Sequence, residues 1–171
     1  MKKIYTAILV LFVSITNMNC TDDIAKSTLT QPGDKVPNFQ IETINGEILD
    51  TNKLQGKIIL LNLFTTTCPI CQEEFPYLQK LSEQIQDKDF LLLSIGREHN
   101  KKELEEFVSK KGLTFTFAAD PERKIYKNFA TQYIPRTYLI DRKGIIIKQS
   151  VGFDLKDFEE FTNKINDLLD D

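Results

Sequence analysis

Seven consecutive residues, Ile58-Ile59-Leu60-Leu61-Asn62-Leu63-Phe64, are apolar except for one asparagine. A run without polar alternation does not fit a half-exposed strand. It fits a strand buried on both faces, which requires other elements packed above and below a sheet. Phe90 to Ile95 is a second run of the same kind. Between them, Phe75, Leu78, Leu81 and Ile85 recur at helical spacing inside 69–86. Further on, Lys101 to Lys111 carries Leu104, Phe107 and Val108 on one face, and Phe115 to Ala118 reads as a short strand. Pro121 opens a short helix with Ile125 and Phe129 one turn apart. Thr137–Ile140 and Ile145–Lys148 are strands joined by the turn Asp141-Arg142-Lys143-Gly144. Leu155, Phe158, Phe161, Ile165 and Leu168 mark a closing amphipathic helix. Nearer the N-terminus, Phe39–Ile41 and Ile48–Leu49 flank Asn45-Gly46, a hairpin signal. This order predicts an α/β chain with a central mixed sheet, helices on both faces and an N-terminal β-hairpin extension.

The apolar run leads directly to Cys68-Pro69-Ile70-Cys71. Two thiols separated by two residues can open and close a disulfide. Pro69 suits the first position of a helix, where its missing N–H costs nothing. Cys68 then becomes the N-cap, facing the free N–H groups of the first turn. Those groups and the positive helix end favour a thiolate, so Cys68 is expected to be the nucleophile, with a pKa below the free-thiol value of about 8.5. Cys71, one turn into the helix, is expected to be more buried and to resolve the mixed disulfide. The competing reading is half of a zinc site. Zinc needs three or four ligands, and the remaining candidates are His99 and Cys20. No metal site is therefore expected, and His99 reads as a surface residue.

Lys2-Lys3, the apolar stretch Ile4–Val13 and polar Ser14–Asn19 carry the marks of an export signal, which assigns 1–19 as a signal peptide. The alternative for this stretch is a buried strand or helix. Cys20 stands where such a signal is cut, which resembles a bacterial lipoprotein's lipid-bearing cysteine. Asn19 and Asn17 depart from the small and Leu-like residues usual there. The alternative is a free thiol. Asp22 to Asp34 lacks apolar periodicity and ends in Gln31-Pro32-Gly33-Asp34, so 20–34 reads as a flexible tether and 35–171 as the folded domain. A chain of 171 residues, 41% hydrophobic, can build one full core. The net charge of −3, with Lys/Arg only in short pairs, gives no reason to expect nucleic acid as a partner.

Three stretches together resemble the thioredoxin superfamily, in particular its exported TlpA/ResA-like, AhpC/TSA-related thiol–disulfide oxidoreductases. They are Val36-Pro37-Asn38-Phe39, then Asn62-Leu63-Phe64 through Cys68-Pro69-Ile70-Cys71-Gln72-Glu73-Glu74-Phe75-Pro76, then Tyr133-Ile134-Pro135-Arg136-Thr137-Tyr138-Leu139-Ile140-Asp141-Arg142-Lys143-Gly144. The resemblance implies a thioredoxin-like fold with Pro135 cis beside the disulfide, and Pro76 bending the active-site helix. It implies that the Ile134 backbone pairs with an extended substrate, and that Thr67, Ile134 and Pro135 line the substrate site. It also implies that Glu74 assists proton transfer at Cys71, the alternative being a solvated carboxylate. Three residues depart from the family pattern. Thr67 replaces the usual Trp, Ile70 replaces the proline of CxPC, and Asn62 stands where thioredoxins proper carry a buried Asp.

These readings converge on an enzyme that reduces disulfides of exported proteins in the cell envelope, as a periplasmic or outer-membrane lipoprotein. It would be a monomer without a cofactor, recharged by a membrane electron donor and held to the membrane by a lipid anchor on Cys20. Two rivals stand beside it. Thr65, three residues before Cys68, fits the TxxC of a peroxiredoxin-like thiol peroxidase with antioxidant activity, although Leu61 replaces the expected proline. The other is a non-enzymatic lipoprotein that binds extended peptides near Pro135.

Overall fold

The computed structural model describes residues 20–170, with side chains from 22 onward. The expected export signal, residues 1–19, and the expected lipidation site at the Cys20 side chain lie outside the described residues. The elements run α1 (Cys20–Ser27), β1 (Gln40–Glu42), β2 (Ile48–Asp50), β3 (Ile58–Phe64), α2 (Pro69–Gln84), β4 (Phe90–Arg97) and α3 (Lys101–Lys111). They continue with β5 (Thr116–Asp120), α4 (Tyr126–Phe129), β6 (Arg136–Ile140), β7 (Ile146–Val151) and α5 (Leu155–Asp170).

Five strands form one mixed sheet in the order β5-β4-β3-β6-β7. β3 lies at its centre, parallel to β4 and antiparallel to β6, and all seven of its residues are buried. Strand parity divides them between the two faces. Ile59, Leu61 and Leu63 pack with Phe129, Tyr138 and Ile146. Ile58, Leu60 and Phe64 pack with Phe75 and Leu78 of α2, Leu104 of α3 and Phe161 of α5. Asn62 shares this second parity, so its amide points toward α2. The β1–β2 hairpin pairs Ile41 with Leu49, and its turn passes through Gly46 at φ +85°, a conformation glycine adopts without cost. The sheet, its flanking helices and the hairpin match the expected architecture.

Two segments differ from the sequence reading. The helix expected to open at Pro121 begins at Tyr126 instead. The buried Asp120 carboxylate accepts from the N–H groups of Ile125 and Tyr126 at 3.1 and 2.8 Å, and this holds 121–124 as a turn ahead of the helix. The expected tether contains helix α1, and its end is fastened to the domain. Thr28 bridges Ala130, Leu29 donates to the Phe129 carbonyl at 2.9 Å, and the Ser27 carbonyl accepts from Thr131 at 2.9 Å. Gly33 then donates to the Ile146 carbonyl, Ile146 to the Asp34 carbonyl and Val36 to the Gly144 carbonyl, so 33–36 runs alongside the start of β7.

Candidate active site

β3 ends at Phe64, and Thr65-Thr66-Thr67 turn the chain into α2. Cys68 is the N-cap at φ −81°, ψ 116°, with Pro69 in the first turn. The backbone N–H of Cys71 donates to Cys68 Sγ at 3.2 Å. Cys68 is half-buried and Cys71 is 1% exposed, and the two are joined by a disulfide with their Cα atoms 5.3 Å apart. Only the first sulfur is therefore open to an incoming partner. Thr67 and Ile70 flank it and are exposed. Pro76 lies inside α2, where it lacks the N–H that would bond one turn back.

Just before β6, whose Arg136 pairs with Leu63 near the end of β3, the Ile134–Pro135 peptide is cis, as the resemblance implies. Pro135 is buried and Ile134 half-buried. The Pro135 carbonyl accepts from Gly152 at 2.9 Å. Ile134 packs against both core clusters, one of which includes Cys71 and also has Cys68 packed against it.

Beneath the disulfide lies a closed polar group. Glu74 is 3% exposed, which rules out the solvated-carboxylate alternative. Asn62 Nδ2 donates to Glu74 Oε2 at 2.9 Å, and Thr137 Oγ1 donates to Glu74 Oε1 at 2.9 Å. Ser94 Oγ in turn donates to Asn62 Oδ1 at 3.3 Å. Burial pushes the Glu74 carboxyl up to about 7, against the pull of these two donors, with Asp157 adding a further upward push. Glu74 also lines a narrow cleft with Ser150, Gly152, Asp154 and Asp157. A carboxyl poised near neutral pH can both take up and return a proton.

Sequence reasoning named Cys68, Cys71, Glu74, Thr67, Ile134 and Pro135, and the fold gathers them at one end of the sheet. It treated Asn62 only as a missing acid, and it passed over Thr137 and Ser94. Strand parity carried the signal, because Asn62 pairs with Ser94 on one side and Thr137 on the other. His99 is not the surface residue expected. Its side chain is 14% exposed, and its Nε2 accepts from the Thr66 N–H at 3.0 Å. Together with Gln72, which donates to the Thr66 carbonyl at 2.7 Å, it holds the loop ahead of Cys68. Among the described residues, no group of three or more His, Cys, Asp or Glu is placed to hold a metal ion.

The Redoxin family model matches residues 31–165. The thiol-disulfide oxidoreductase ResA of Bacillus thuringiensis (strain Al Hakam) is 29% identical over 136 residues, 79% of either chain. The thioredoxin-like protein YneN of Bacillus subtilis (strain 168) is 29% identical over 149 residues, 85% of this chain and 86% of YneN. The solution structure of a candidate protein disulfide isomerase from Bacteroides thetaiotaomicron superposes with a TM-score of 0.81 at 27% identity, over 85% of this chain and 94% of that one. With a paired CxxC at a helix cap and a cis Ile134–Pro135 bond, the chain belongs to the Redoxin family and is a ResA-like member of the thioredoxin superfamily.

Proposed function

We propose that this chain is a thiol–disulfide oxidoreductase that works as a reductase on exported proteins, through Cys68 and Cys71. The observation that carries the reading is the asymmetry of the two sulfurs. Cys68 caps α2 within reach of the Cys71 N–H, and Cys71 is sealed beneath it. In the reduced enzyme the cap and the helix dipole favour a Cys68 thiolate. That thiolate attacks one sulfur of a substrate disulfide. A Cys68–substrate bond forms, the substrate's S–S bond breaks, and one substrate thiolate leaves. Glu74 accepts the Cys71 proton, and the Cys71 thiolate attacks Cys68 Sγ. The second substrate thiolate leaves, and two electrons have passed from enzyme to substrate. An extended substrate segment pairs with the backbone at Ile134, beside Thr67 and Pro135.

The cycle requires a dithiol donor to reduce the Cys68–Cys71 disulfide again. We assign this to a membrane electron donor, and we place the enzyme in the cell envelope as a monomeric lipoprotein, exported by residues 1–19 and anchored through Cys20. Reduction of insulin by the wild type and by Cys68→Ser tests the activity: only the wild type should reduce it, and equal rates would sink the proposal. The direction is tested by the reduction potential of the pair, expected near about −270 mV, as suits a reductase, rather than about −120 mV, as suits an oxidant.

A further inference from the structure

Arg136 follows Pro135 directly, and among the described residues it leads the fully buried side chains in size, with 0% exposure. Its acceptors are all neutral. Nε donates to the Gln132 carbonyl at 3.0 Å and to the Tyr133 carbonyl at 3.2 Å. One terminal nitrogen donates to Thr28 Oγ1 at 3.0 Å, and the other donates to Ser27 Oγ at 2.8 Å and to the Gln132 carbonyl at 2.9 Å. A buried cation without a carboxylate partner is costly. Here the guanidinium sits at the C-terminal end of α1, where the helix dipole favours positive charge.

The same guanidinium therefore holds two separate pieces of backbone. One is the loop leading into Ile134 and Pro135. In it Tyr133 adopts φ +66°, the left-handed region that a side chain with a Cβ disfavours. Such a conformation persists when its surroundings over-determine it, and the Tyr133 carbonyl also accepts from Tyr126 Oη at 2.6 Å. The other piece is the end of α1. The Ser27 and Thr28 hydroxyls both donate to the Ile24 carbonyl at 2.8 Å, which turns their oxygens' lone pairs toward Arg136.

We propose that Arg136 is a positioning residue that couples docking of α1 to the shape of the substrate-binding loop, so that affinity for an extended protein substrate depends on α1 being seated. The inference rests on the reading of Ile134 and Pro135 as the substrate site. It also joins the anchor proposed at Cys20 to the substrate loop through a hydrogen-bonded bracket, where the sequence offered only a tether.

The full chain carrying Ser27→Ala with Thr28→Val removes the α1 acceptors and leaves Arg136 and the loop unchanged. Amide hydrogen exchange at 131–134 should speed up about tenfold, and KM for insulin should rise about tenfold. The kcat on insulin, the rate with the small aromatic disulfide 5,5′-dithiobis(2-nitrobenzoate) and the potential of the Cys68–Cys71 pair should stay as in the wild type. Arg136→Lys, whose ammonium cannot span both pieces, should reproduce the KM change. Unchanged exchange, an unchanged KM, or a small-disulfide rate that falls in step with insulin would each overturn the coupling. Failure of the wild type to reduce insulin would count against the proposed function instead, and the exchange measurement tests the bracket independently of activity.

Discussion

At Cys68 the site is assembled from near neighbours in the chain, whereas at Pro135 it is assembled from distant ones. Cys68 takes its hydrogen bond from a residue three positions away, and Glu74, on the same helix, meets Asn62 twelve positions back. The loop before Pro135 is held by Arg136, whose other partners lie 108 and 109 positions away in α1. On the proposed reading, the redox chemistry is written into one strand–helix unit, while the presentation of substrate depends on the N-terminal segment being in place. The two sides should respond to different mutations.

The largest effect is expected on the local side. Cys68→Ser should lower insulin reduction by at least about a thousandfold, because no other exposed thiol stands at the helix cap. A steady-state assay checks this, and a loss of only a few-fold would break the distinction between the two sulfurs.

Glu74 gives the next effect. Its native carboxyl titrates at about 7 and its ordinary value is 4.5, so between these the folded chain binds a proton that the unfolded chain does not. The resulting stability is fully present below about 4.5 and is lost as the pH rises through about 7, a change of about 3 kcal/mol. Glu74→Gln should remove this slope and gain up to about 3 kcal/mol at pH 8, read from urea unfolding at pH 5 and pH 8. A slope that survives the substitution would place its source elsewhere. Asn62→Ala should cost about 1–2 kcal/mol and move the Glu74 midpoint further up, since an N–H that favours the carboxylate is lost. A carboxyl NMR titration reads the shift, and a downward movement would contradict the network. At the far end of the scale, Lys101→Ala breaks an exposed pair with Glu42 at 2.9 Å. It should change stability by less than about 0.5 kcal/mol and leave activity unchanged, which makes it the control for both sides.

The same contrast decides how much was readable in advance. The Cys68 side announced itself through an unbroken apolar strand, a proline at the first helical position and two thiols one turn apart. All of these are local signals with a direct physical meaning. Pro135 and Ile134 were reached only through a family resemblance, since an isolated proline before a strand says little. Helix α1 was missed because its end docks through hydroxyls, carbonyls and one arginine, and the search for apolar periodicity is blind to such contacts. Arg136 was passed over for the related reason that an arginine reads as exposed until its acceptors are known. Asn62 looked like the loss of an acid. In the fold it is the donor that holds a different acid, Glu74, in place.

The central claim is that Cys68 attacks and Cys71 resolves. Reduced Cys71→Ser protein mixed with disulfide-bonded insulin tests it most directly, with mass spectrometry of the trapped adduct. The account predicts a stable mixed disulfide on Cys68, and no adduct when Cys68→Ser is used in its place. An adduct on Cys71 in the Cys68→Ser protein, or a Cys68 that forms sulfenic acid with peroxide and never bonds to insulin, would contradict it.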